Sequence, residues 1–101
     1  MQESSIENYL KRKVNNLGGW VVKLNSASMR GLPDRMILMP GGNIYFVELK
    51  APGKKPRPLQ DAVIKGLKRL GFIVLVIDTK ESAGEFINGI QASQISEHSN
   101  K

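Results

Sequence analysis

At 101 residues, with 41% hydrophobic and 24% charged residues, the chain suits one folded domain and excludes a disordered one. The absence of cysteine excludes disulfides, zinc–thiolate sites and thiol nucleophiles, and a single histidine, His98 in a polar C-terminal stretch, leaves no histidine base or histidine–metal centre. The net charge of +6 lies entirely within residues 50–69, where seven basic residues oppose one acid, Asp61, while the remainder balances eight against eight.

A localised basic excess is the footprint of a polyanion, nucleic acid being the commonest, although a solvated loop gives the same count. No apolar run approaches the roughly 20 residues that span a bilayer, and the start of the chain lacks a signal-peptide core. The expectation is a domain over residues 1–90 with no membrane partner, followed by a flexible polar tail over 91–101.

In chain order, Ser4-Ser5-Ile6-Glu7 reads as a capping box opening a helix, with Ile6, Leu10, Val14 and Leu17 at helical spacing. Gly18-Gly19 ends it. Trp20–Leu24 is a short β-rich run, and residues 25–32 form a polar loop leading into Pro33-Asp34. Residues 35–39 and 44–50, joined by a turn over 40–43, predict a hairpin. Residues 51–58 contain three prolines and one glycine and read as a loop. Leu59, Val63, Leu67 and Leu70 mark a second amphipathic helix stopped by Gly71. Phe72–Ile77 is an unbroken apolar run, which predicts a parallel strand covered on both faces. Ser82 and Glu85 suit the start of a short last helix. The order αβββαβ(α) predicts an α/β fold, a mixed sheet flanked by helices.

The side-chain period of a strand puts Glu48 and Lys50 on one face. Mg²⁺ takes about six oxygen ligands, usually with only one or two carboxylates, and completes its shell with water and substrate phosphate. Asp34 and Glu48, joined through one hairpin, match that demand, and the backbone carbonyl of Leu49 is a third candidate oxygen. Lys50 would neutralise the phosphate, or position and deprotonate the attacking water. Gln60 shares a helical face with Ile64 and Leu67, so it points towards the strand of Glu48 and Lys50. Its alternative roles are a helix cap and a satisfied inward amide. Glu7 could add a more distant carboxylate, but it also fits the third position of the capping box. Lys54, Lys55 and Arg57, with Arg30 on the earlier loop, are the candidate phosphate contacts.

Each of these short patterns has a bland explanation: a turn residue for Asp34, a strand-end ion pair for Glu48 and Lys50. Their order along one hairpin and helix explains all of them together. With Glu7, Gly31-Leu32-Pro33-Asp34, Glu48-Leu49-Lys50 and Gln60 in place, the chain resembles the PD-(D/E)xK nucleases, most closely the VRR-NUC family, over residues 4–90. The resemblance implies a restriction-endonuclease-like core. It also implies Mg²⁺ or Mn²⁺ on Asp34, Glu48 and the Leu49 carbonyl, a catalytic Lys50, and support from Gln60 and Glu7. Small stand-alone relatives, from phages and bacteria, imply a cytoplasmic homodimer that cuts branched DNA such as four-way junctions. A rival of another class is a non-catalytic basic DNA-binding module, and a third is the same chemistry acting on nicks, flaps or plain duplex.

One expectation is awkward. A turn closing symmetrically on Gly41-Gly42 pairs Met39 with Ile44 and Asp34 with Leu49, turning Asp34 away from Glu48. An odd-length turn, a bulge, or an Asp34 lying before regular pairing would restore them to one face.

Overall fold

In the computed structural model, residues 3–25 and 29–99 are described, with side chains over 5–25 and 29–92. Helix α1 (Glu3–Asn16) buries Ile6, Leu10 and Val14 completely, as their spacing requires. The side chain of Ser4 lies outside the described ones. Glu7 Oε2 accepts from Arg35. The helix closes at Gly18, whose φ of 85° suits a glycine, and the amides of Gly18 and Gly19 bond back to Asn15 and Val14.

Strands β1 (Trp20–Lys23), β2 (Arg35–Met39), β3 (Asn43–Leu49) and β4 (Ile73–Ile77) form one sheet in the order β1-β2-β3-β4. The first two pairings are antiparallel and the β3–β4 pairing is parallel, with helix α2 (Pro58–Arg69) making the crossover. The sheet is therefore mixed and the fold is α/β, as the element order implies.

The hairpin turn is of odd length. Met39 pairs with Asn43, leaving Pro40-Gly41-Gly42 as the loop, with both glycines at positive φ. Arg35 is consequently opposite Val47, and Asp34 falls opposite Glu48. The symmetric register that would have faced Asp34 to Leu49 does not occur.

Helices α1 and α3 (Lys80–Ser99) cover one face of the sheet, joining Ile37, Met39, Val47, Leu49 and Ile77 in the core. Alternation sends Asp34, Glu48 and Lys50 to the other face, under α2. Three expectations fail. Strand β4 is an edge strand rather than a doubly covered one: Val74 and Ile77 are buried, but Ile73 and Val76 are exposed, because the helices reach over only part of it. Helix α2 turns Gln60 and Ile64 inward, so Leu59 and Leu70 are exposed, at 53% and 76%. The last helix is long, continuing through Ser99, because residues 91–99 contain no glycine or proline to stop it. No described helix is long and apolar enough to cross a membrane.

Candidate active site at the end of the hairpin

The three-residue turn fixes the register, and the register places Asp34 beside Glu48. The Asp34 amide donates to Glu48 Oε1 at 3.1 Å, and the Leu49 amide donates to Asp34 Oδ1 at 3.1 Å, so each carboxylate is clamped by the backbone that carries the other. Past Arg35 and Val47 the antiparallel ladder gives way to these side-chain bonds. The N–H and C=O of one strand residue project to the same side, so the Leu49 carbonyl also faces the Asp34 side.

Glu48 is only 2% exposed. Its Oε2 accepts from Lys50 Nζ at 3.0 Å and from Gln60 Nε2 at 3.0 Å. Gln60 takes both roles weighed for it, since its Oε1 also accepts from the Arg57 amide at the start of α2. A carboxylate buried to this degree is tolerable because an ammonium, an amide and a backbone N–H share its charge. Gln60→Ala removes the amide and the cap together. The expected result is a stability loss of about 1 kcal/mol, read by thermal melting.

Glu7 does not join this cluster directly. Its Oε2 accepts from Arg35 at 2.8 Å, and Arg35 in turn donates to the Asp34 carbonyl at 3.0 Å and stands 3.7 Å from Asp34 Oδ2. Arg35 sits on the α1 side of the sheet and Glu48 on the α2 side, so Glu7 reaches the site only through the guanidinium.

Arg35 is the residue that sequence reasoning passed over. It is 6% exposed, and its Nε is buried without a hydrogen-bond partner among the described residues. The signal was present in the alternation: Arg35 shares a strand face with Ile37 and Met39, so it had to be buried and to find a carboxylate.

The site opens into a cleft of about 390 Å³ lined by Gly31, Lys50, Arg57, Leu59 and Gln60. Gly31 packs against α2 at a φ of 86°, and a Cβ there would come within 2.9 Å of Val63 and 3.0 Å of the Leu59 carbonyl, so only glycine lets this loop close on the helix. Arg57 lines this cleft, and Arg30, Lys54 and Lys55 are exposed on the loops before Asp34 and after Lys50.

Comparison with known proteins then decides the family. No family model matches the chain. It is 43% identical over 81 residues to "Putative nuclease p44" of Acyrthosiphon pisum secondary endosymbiont phage 1, an alignment covering 80% of this chain and 87% of the phage protein. A solved structure described as a VRR_NUC domain superposes with a TM-score of 0.80 at 29% identity, covering 87% of this chain and 97% of that one. The chain belongs to the VRR-NUC nucleases.

Nucleases of this fold generally depend on a divalent metal. Among the described residues no group of three or more His, Cys, Asp and Glu side chains is placed to hold a metal ion. A cation in this VRR-NUC domain would therefore rest on two carboxylates completed by backbone and water oxygens. That all-oxygen donor set suits Mg²⁺ or Mn²⁺ and excludes the nitrogen–sulfur sites preferred by zinc.

Proposed function

We propose that the chain is a Mg²⁺- or Mn²⁺-dependent DNA endonuclease, selective for branched DNA such as four-way junctions, in the cytoplasm of a bacterium or phage-infected host. The observation that carries the reading is the juxtaposition of Asp34, Glu48, Lys50 and Gln60 at one end of the hairpin, at the mouth of a basic cleft. A pure phosphate binder gains nothing from two carboxylates placed beside the DNA.

Asp34, Glu48 and the Leu49 carbonyl are the groups that would hold the cation, which when bound polarises the scissile phosphate and activates water. Lys50, tethered to Glu48 and lining the cleft, places its ammonium where a phosphoryl oxygen or the attacking water would lie. Gln60 fixes the Glu48 carboxylate, and the Asp34 and Leu49 amides keep the two acids from swinging apart. Plasmid nicking and cleavage of end-labelled junctions with Mg²⁺, Mn²⁺ and EDTA test the proposal. Activity that persists in EDTA overturns the mechanism, and equal cleavage of junction and plain duplex overturns the selectivity.

Lys54, Lys55 and Arg57 are the proposed contacts to the backbone of the bound strand, because flexible cations on a loop read phosphate rather than base edges. Replacing all three by alanine should weaken binding about equally for every sequence. The slope of log affinity against log salt should flatten by up to about 0.9 for each phosphate that is no longer neutralised. An unchanged slope returns this loop to a solubility role.

A homodimer is part of the proposal, since two strand cuts in a junction need two sites and a twofold dimer is the commonest closed assembly. It is supported by the uncovered side of α2, where Met29, Val63, Gly66, Leu67 and Leu70 line an apolar groove of about 440 Å³. Sedimentation at micromolar concentration, with Leu70→Glu as the disrupting variant, decides it.

A further inference from the structure

The charge count along the chain assigns the whole positive excess to residues 50–69, but folding redistributes it. The acids that balance the rest of the chain include Glu7, Asp34 and Glu48, and all three are drawn to the catalytic end of the hairpin. What they leave behind is a second basic surface, on the opposite layer from the cleft.

Its centre is Tyr9, at the edge of α1 that faces α3. Arg12 lies 5.8 Å from the ring centroid, Lys13 lies 5.7 Å from it, and Lys80, at the start of α3, lies 5.2 Å from it. The ion pairs among the described residues engage Arg35, Lys50 and Lys65, and none of the three cations around Tyr9 takes part in one. One ring face rewards a cation by about 0.5–1 kcal/mol at an exposed site, whereas three like charges gathered at one ring repel each other. Such a cluster is best satisfied by an anion. The surrounding surface suits one: Ser5, Asn8, Tyr9, Arg12 and Lys80 line a shallow cleft of about 330 Å³, and Asn8 and Arg12 continue into a neighbouring cleft with Lys11, Asn15 and Asn16. Amide and hydroxyl donors between cations match phosphate and sugar oxygens. A membrane surface would instead need apolar side chains there to enter the lipid.

We infer that Arg12, Lys13 and Lys80, organised by Tyr9, form a second DNA-backbone site that holds a duplex segment other than the one lying in the catalytic cleft. The inference rests on the reading of the chain as a DNA nuclease. It follows from placement: α2 and the 54–57 loop serve one face of the sheet, while α1 and α3 serve the other. A single straight duplex at the cleft has no reason to reach both.

The test is fluorescence anisotropy on a Glu48→Gln background, titrating salt with a labelled four-way junction and with a linear duplex of equal arm length. Arg12→Ala/Lys13→Ala/Lys80→Ala should lower junction affinity by about tenfold or more and flatten its salt slope by up to about 2.7, three phosphates at about 0.9 each. Linear duplex should change less than about threefold, because the other face holds it. Arg12→Glu alone, at an exposed position, repeats the test with the least risk to folding. Unchanged junction binding, or equal loss on both DNAs, overturns the second site. Patch-dependent sedimentation with phosphatidylserine vesicles, with junction binding intact, overturns it in favour of a membrane role. A wild-type protein that binds neither DNA overturns the nuclease reading as well, whereas one that binds both with the variants unchanged overturns this site alone.

Discussion

Glu48→Gln is expected to slow phosphodiester cleavage by at least about a thousandfold, corresponding to roughly 4 kcal/mol of lost transition-state stabilisation. The amide keeps the shape and its one oxygen can still accept from Lys50 and Gln60, while its NH2 replaces the oxygen that accepts from the Asp34 amide. The fold should persist at the loss of that one bond, but the charge that would hold a cation is gone. Glu48→Ala is a different experiment. It strands the Lys50 ammonium and the Gln60 amide in a site where Glu48 itself is 2% exposed, and it should cost on the order of 1–3 kcal/mol of stability in addition to activity. Titration calorimetry with Mn²⁺ separates the two effects, since a folded Glu48→Gln protein that binds Mn²⁺ as tightly as wild type would remove Glu48 from the proposed cation site. Lys50→Ala provides the contrast: it should be comparably inactive yet still take up the metal.

Arg35→Ala is the second large effect, and it acts on stability first. The guanidinium ties Glu7 of α1 to the Asp34 backbone across the end of the sheet. Removing it leaves a cavity at that end of the sheet, breaks the 2.8 Å pair with Glu7 and takes one of the supports from Asp34, at an expected cost of about 2–4 kcal/mol. Cleavage should fall up to about 10–100-fold under conditions where the variant is still folded, because Asp34 keeps the Leu49 amide on Oδ1 but loses the guanidinium beside its Oδ2 and carbonyl. Arg35→Lys should rescue little, since one ammonium cannot span both the Glu7 carboxylate and the Asp34 carbonyl as the fork does. Chemical denaturation read alongside single-turnover rates checks both halves, and an Arg35→Ala protein of unchanged stability would show that the bridge contributes nothing net.

The local chemistry of the chain determined most of its elements. Apolar residues at helical spacing mark α1, the Pro40–Gly42 break marks the hairpin, and the apolar run before Asp78 marks a strand; each is set by contacts within a few residues, whereas the parallel pairing of that strand with β3 is made across 28 residues. The two-residue period of β3 likewise put Glu48 and Lys50 on one face, and the phase of α2 aimed Gln60 at them.

What depended on distant partners was decided only by the tertiary structure. Whether Asp34 meets Glu48 turns on a single residue of turn length, which the sequence Pro-Gly-Gly-Asn leaves open and which the pairing of Met39 with Asn43 fixes. Alternation puts Arg35 on the face of Ile37 and Met39, but it becomes the link between Glu7 and the site only because α1 packs over that end of the sheet. The exposure of Ile73, Val76 and Leu70 reflects how far the neighbouring helices extend, which no local pattern encodes. Charge shows the same division most plainly: counting along the chain finds one basic stretch, and only folding, by drawing Glu7, Asp34 and Glu48 together, uncovers another around Tyr9.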